Sequence, residues 1–216
     1  GIEDSQRVEI PGVIRSFREE SPVVLYEIAS GGYRLKVYSP PLPNVDPQTL
    51  IGARVRIRGT ASTVFSGQLR QIITAELNVP SPSDFIVEEI EPADTFLEPV
   101  IPLNNLAQYR RDRPLEKRVH VKGTVTFLRR GLDMFLQDTN KGIQIKSRQL
   151  TPAALGDTVE AVGFLDFEHF LPVLQDAVYR KTTEPSVKVA PKAMAISELQ
   201  AGYRHAELIT LQGKLL

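Results

Sequence analysis

The chain has 216 residues, room for two compact units of roughly 70 to 80 residues, each with a modest core. Its 26 Lys and Arg balance 26 Asp and Glu, so the net charge is zero and no global field draws in a polyanion. The absence of cysteine excludes disulfides, thiolate metal sites and a Cys nucleophile, and no apolar run approaches the roughly 20 residues of a membrane span or forms a signal segment at the start.

Val8-Glu9-Ile10-Pro11-Gly12-Val13-Ile14 alternates apolar and other residues into a glycine, the pattern of a half-buried strand that bends there. This first strand is predicted over Val8 to Phe17, with others near Val23 to Ala29, Tyr33 to Tyr38, Arg54 to Ala61 and Gln68 to Leu77. The one long gap runs from Ser39 to Gly52, where Asp46-Pro47 should cap a short helical turn. The unit then recurs. Val119-His120-Val121-Lys122-Gly123-Thr124-Val125 answers the first strand, Gly142-Ile143-Gln144-Ile145-Lys146 answers Gly32-Tyr33-Arg34-Leu35-Lys36, and Gly156 through Gly163 answers Gly52 through Gly59. In the second copy the gap from Ser147 to Gly156 predicts a helical turn with Thr151 as N-cap and Pro152 at its first position.

Between the copies lies an acid-rich stretch that starts as an exposed Pro-Ser linker at Pro80. It continues into Pro102 to Tyr109, which resembles Pro191 to Leu199, and both are read as short helices capped by Asn or Ser. Ile209-Thr210-Leu211-Gln212-Gly213-Lys214-Leu215 repeats the first strand once more. The expected architecture is all-β with short helices: two tandem five-stranded OB-fold-like barrels plus the first strand of a third repeat. The boundaries are residues 1–79 for the first repeat, 80–117 for a connector, 118–181 for the second repeat, 182–205 for a second connector and 206–216 for the incomplete third repeat. An orphan strand seeks a partner, so residues 206–216 should pack on the second repeat or pair with another chain as an oligomer contact.

The Val-x-Val-x-Gly-x-Val pattern, Phe135-Leu136-Gln137-Asp138-Thr139-Asn140-Lys141-Gly142-Ile143, and Leu155 through Phe164 resemble the tandem OB-like segments of bacterial sensor histidine kinases and related signalling proteins. The resemblance covers Val119 to Tyr179 well and the first repeat loosely. It implies a non-catalytic, periplasmic sensory region that binds a small ligand or a protein, belongs to a two-component signal-transduction protein and is tethered to the inner membrane through segments outside this chain. No kinase motif accompanies it.

No catalytic residue, metal ligand or cofactor emerges from the spacing. His120, His169 and His205 form no ligand pair at i, i+2 or i, i+4. Asp133, Asp138, Asp157, Asp166 and Asp176 mostly sit beside turn residues, where Asp bonds its own backbone. An unrecognised enzyme remains as a distant alternative. The other alternative is a single-stranded nucleic-acid-binding OB protein. Alternation that buries Tyr33, Leu35 and Val37 turns Arg34, Lys36 and Tyr38 outward, and Arg54, Arg56 and Arg58 alternate likewise, so cations and an aromatic would share adjacent strands. The second repeat does not share this basic stripe, and nucleic acid is accordingly not expected as the partner.

Overall fold

In the first repeat, alternation over the expected segments yields β1 (Arg7–Glu20), β2 (Val23–Ser30), β3 (Tyr33–Ser39), β4 (Arg54–Ser66) and β5 (Gln71–Asn78). They lie in the order β1-β2-β3-β5-β4, and β4 returns to β1 to close a barrel. In the second repeat β7 (Arg118–Arg129), β8 (Asp133–Gln137), β9 (Gly142–Lys146), β10 (Thr158–Glu168) and β11 (Leu171–Lys181) close in the corresponding order β7-β8-β9-β11-β10. This computed structural model describes residues 7–66, 71–92, 94–110, 117–139, 141–168, 171–200 and 205–213, giving the backbone alone for 63–66, 71–74, 107–110 and 200. It divides into two compact units, Gly1–Ala93 and Asp94–Leu216.

The register carries the repeat to single residues. Gly12 faces Val55 and Val8 faces Gly59 across β1 and β4, while Gly123 faces Val159 and Val119 faces Gly163 across β7 and β10. The glycines recur because coiled strands approach each other there too closely for a side chain. A Cβ on Gly12 would lie 2.7 Å from the Ala29 carbonyl oxygen, and one on Gly163 would lie 2.9 Å from the Ala177 Cα.

Each barrel is filled by its inward residues, with Ile14, Tyr26, Val37, Ile57 and Leu77 in the first and Val121, Leu136, Ile143, Ile145 and Leu174 in the second. The long gap of the first repeat forms a 3-10 turn over Pro47–Leu50, with the Asp46 carboxylate accepting from the Gln48 N–H at 2.9 Å, and drops a fully buried Leu50 into the barrel end. The helical turn expected at Thr151-Pro152 does not form. Asp157 organises that gap instead, its carboxylate accepting from the Ala154 N–H (2.9 Å) and the Ser186 hydroxyl (2.9 Å) and pairing with Lys181 (2.7 Å). These bonds, Lys181 first, hold the Asp157 carboxyl below its ordinary pKa.

The exposed linker expected from Pro80 is also replaced. β6 (Phe85–Glu89) pairs with the start of β4, because Phe85 buries its ring 5.0 Å from that of Tyr26. Farther on, a 3-10 turn over Leu103–Arg110 buries Leu103 and Leu106 in the second barrel's core, with the Leu103 N–H donating to Asp138 at 3.3 Å. The helix α1 (Ile196–Gln200) starts before Ser197, and the Ala195 N–H is met by Glu198 reaching back rather than by a Ser cap.

The C-terminal segment packs on the second barrel, one of its two expected fates. The Leu208 N–H donates to Gln137 Oε1 at 2.8 Å, and the buried Glu207 carboxylate lies 3.6 Å from Lys141 Nζ and 3.3 Å from Lys192 Nζ. Of the expected third first strand, the described residues form β13 (Ile209–Thr210), parallel to β12 (Lys192–Ala193). Lys214 and Leu215 lie outside the described residues.

Candidate nucleic-acid interface

The tentative face of the first repeat divides in two. On β3, Leu35 and Val37 are buried, and Arg34, Lys36 and Tyr38 lie on the outer side, Arg34 exposed and the other two half-buried. Tyr33, expected inside, is 81% exposed, because it pairs with Ser30 at the hairpin end beyond the barrel rim. Arg54, Arg56 and Arg58 do alternate with buried Val55 and Ile57, but on β4, and β5 separates β4 from β3. The two groups are therefore not on adjacent strands, since barrel closure inserts the last strand between the third and the fourth.

Carboxylates on both flanks neutralise the β4 arginines. Arg56 donates to Glu88 on β6 at 2.8 Å and lies 3.7 Å from Glu9 on β1. Arg58 is bound by Glu9, which holds its guanidinium pKa above the ordinary value, and Arg54 lies 3.9 Å from Glu89. Exposed pairs of this kind stabilise little, but any phosphate has to displace them. Glu27 accepts from the Ser16 hydroxyl at 2.9 Å and lies 3.6 Å from Arg34, next to Lys36 in the register.

The corresponding face of the second barrel differs in chemistry. A bulge between Val125 and Phe127 reverses the alternation of β7, so Phe127 turns outward at 40% exposure and Leu128 packs toward the core. Phe127 faces its register partner Phe135 on β8, their ring centroids 5.2 Å apart and tilted at 43°. Around the rings, Arg129 Cζ lies 5.7 Å from the Phe127 centroid and its guanidinium grips Asp133 through two bonds of 2.8 and 2.7 Å. Gln144 donates to Asp133 at 2.9 Å, and Lys146 reaches Glu168 at 2.5 and 2.8 Å. Arg129, and to a lesser degree Gln144, hold the Asp133 carboxyl below its usual pKa. Strict alternation places Phe127 in the core, and only the bulge reveals it as a surface residue.

His120 is buried, its Nδ1 2.7 Å from the Glu98 carbonyl oxygen and its ring edge-on to Phe96 at 5.6 Å, so it fastens the segment before the second barrel onto β7. His205 is partly buried, and desolvation lowers its pKa, while His169 lies outside the described residues. Among the described residues no group of three His, Asp or Glu is placed to hold a metal. Asp138 and Asp157 accept from nearby backbone N–H groups, as turn carboxylates do, whereas Asp166 lies within β10 and accepts from the adjacent Phe167 N–H.

No protein-family model matches the chain, and no curated protein matches it. Among solved structures it is similar to a HINb domain, at 10% identity and a TM-score of 0.32, over 84% of this chain and 100% of that one. It is similar also to a HINa domain in complex with 20bp dsDNA, at 12% identity and a TM-score of 0.31, over 82% of this chain and 96% of that one. A third is the single-stranded DNA binding protein from Thermus aquaticus, at 10% identity and a TM-score of 0.26, over 87% of this chain and 98% of that one. Two expectations are corrected by this finding. One of these structures is a domain in complex with dsDNA and another is a DNA binding protein, and no comparison supports a sensory region of a histidine kinase, so that reading and the setting aside of nucleic acid as a partner are both withdrawn. At these scores the neighbours assign no function to this chain or to its residues.

Proposed function

We propose that this chain binds single-stranded nucleic acid on the outer face of its OB-like barrels. The observation that carries the reading is β3 of a closed five-stranded barrel, which fills the core with Leu35 and Val37 while presenting Arg34, Lys36 and Tyr38 along one outer row. Alternate residues on a strand stand roughly 6.6 Å apart, so two cations and a ring form a short track on which phosphates meet charge and a base meets a π-face. Arg54, Arg56 and Arg58 stand across β5 from this track among Glu9, Glu88 and Glu89, and serve mainly to pair neighbouring strands.

The test is a salt series of single-strand binding with the intact chain and with Arg34→Ala/Lys36→Ala. Each phosphate contact contributes about 0.7 to the slope of log affinity against log salt on single strands, so the double variant should flatten that slope by about 1.4. An unchanged slope and affinity would remove these residues from the interface.

A further inference from the structure

The two barrels share their fold and register but not the centre of this face. The bulge partners are Ser16 and Glu27 in the first barrel and Phe127 and Phe135 in the second, each pair followed in register on the third strand by Lys36 and Gln144 respectively. The first barrel closes and buries its core with a hydroxyl and a carboxylate at these positions, so closure does not require aromatic rings there. In the second barrel the rings instead expose apolar surface beside two cations and a side-chain amide. That combination suits an unstacked base, whose flat face needs a ring, whose edge needs a polar group and whose phosphates need a cation.

We propose that Phe127 and Phe135 form a base-stacking platform of the second barrel, on which single-stranded nucleic acid lays one or two bases while Arg129 and Lys146 turn to its phosphates. The proposal rests on the nucleic-acid reading above and locates stacking in the second barrel. Arg129 and Lys146 are each held by a carboxylate, Asp133 and Glu168, which orients them in the free protein and yields to phosphate on binding. Because each cation already has an anion, affinity on this face comes chiefly from the rings.

The chain contains no tryptophan, which makes a direct readout available. In Phe127→Trp the only indole would sit on the platform, and titration with an unlabelled single strand of about 15 nucleotides should quench its emission with the same midpoint as binding. Phe127→Ala and Phe135→Ala should each weaken single-strand binding by about 5- to 100-fold with thermal unfolding nearly unchanged. Binding by the intact chain that is indifferent to both alanine variants and silent in the tryptophan variant would overturn the platform while leaving the nucleic-acid reading in place. Absence of single-strand binding by the intact chain would overturn both. Quenching by an apolar peptide but not by the oligonucleotide would make the rings a protein-docking surface and refute the proposal.

Discussion

Replacing Gly12 by Val should destabilise the first unit by about 3 kcal/mol, the upper end of overpacking costs. The close approach of β1 to its neighbour β2 leaves no space there. Even a bare Cβ would lie 2.4 Å from Ile28 Cγ2 and 2.7 Å from the Ala29 carbonyl oxygen, and of these only the side chain can move cheaply. Gly163→Val should act in the same way on the second unit, where the obstruction is Ala177 together with the Gln175 carbonyl oxygen. Urea unfolding of the intact chain checks this, because each substitution should lower the midpoint of the transition of its own barrel. An unmoved midpoint in either variant would mean that the glycine is not required by closure.

A comparable loss is expected from Leu136→Ala, whose side chain is fully buried among Val121, Ile143 and Ile145 in the second barrel. Removing it deletes buried apolar surface and leaves a cavity in a closed barrel that collapses poorly, at a cost of about 2 to 5 kcal/mol. Leu132, four residues away on the β7–β8 hairpin and 63% exposed, provides the contrast, with Leu132→Ala expected to cost no more than about 0.5 kcal/mol. Equal midpoints for the two variants would contradict the placement of β8.

The repeat was the most legible feature, because the glycines and the strands around them are dictated by local close approach. The pairing of Gly12 with Val55 and of Gly123 with Val159 follows from a pattern that a reader can align by eye. What alternation could not convey was any change of parity or any contact distant in sequence. The bulge at Val125/Phe127 moves Phe127 from core to surface, and the position of Tyr33 at a hairpin end leaves it in solvent despite its correct parity. The strand order also lay beyond local pattern. Arg54, Arg56 and Arg58 were readable as outward residues, but their separation from β3 by β5 and their pairing with Glu9 and Glu88 are consequences of closure. Likewise Thr151-Pro152 carries a helix-start signal that Asp157 overrides by satisfying the Ala154 N–H from the far side of the loop.

Binding of unpaired nucleic acid by the outer faces of these barrels can be measured by fluorescence anisotropy. The intact chain would be titrated into a labelled single strand of about 15 nucleotides near physiological salt, with its duplex as competitor. Micromolar or tighter binding is expected, weakening as salt rises and displaced by unlabelled single strand more readily than by duplex. An anisotropy that stays flat to roughly 100-fold above micromolar protein, or a duplex that competes better than the single strand, would contradict it.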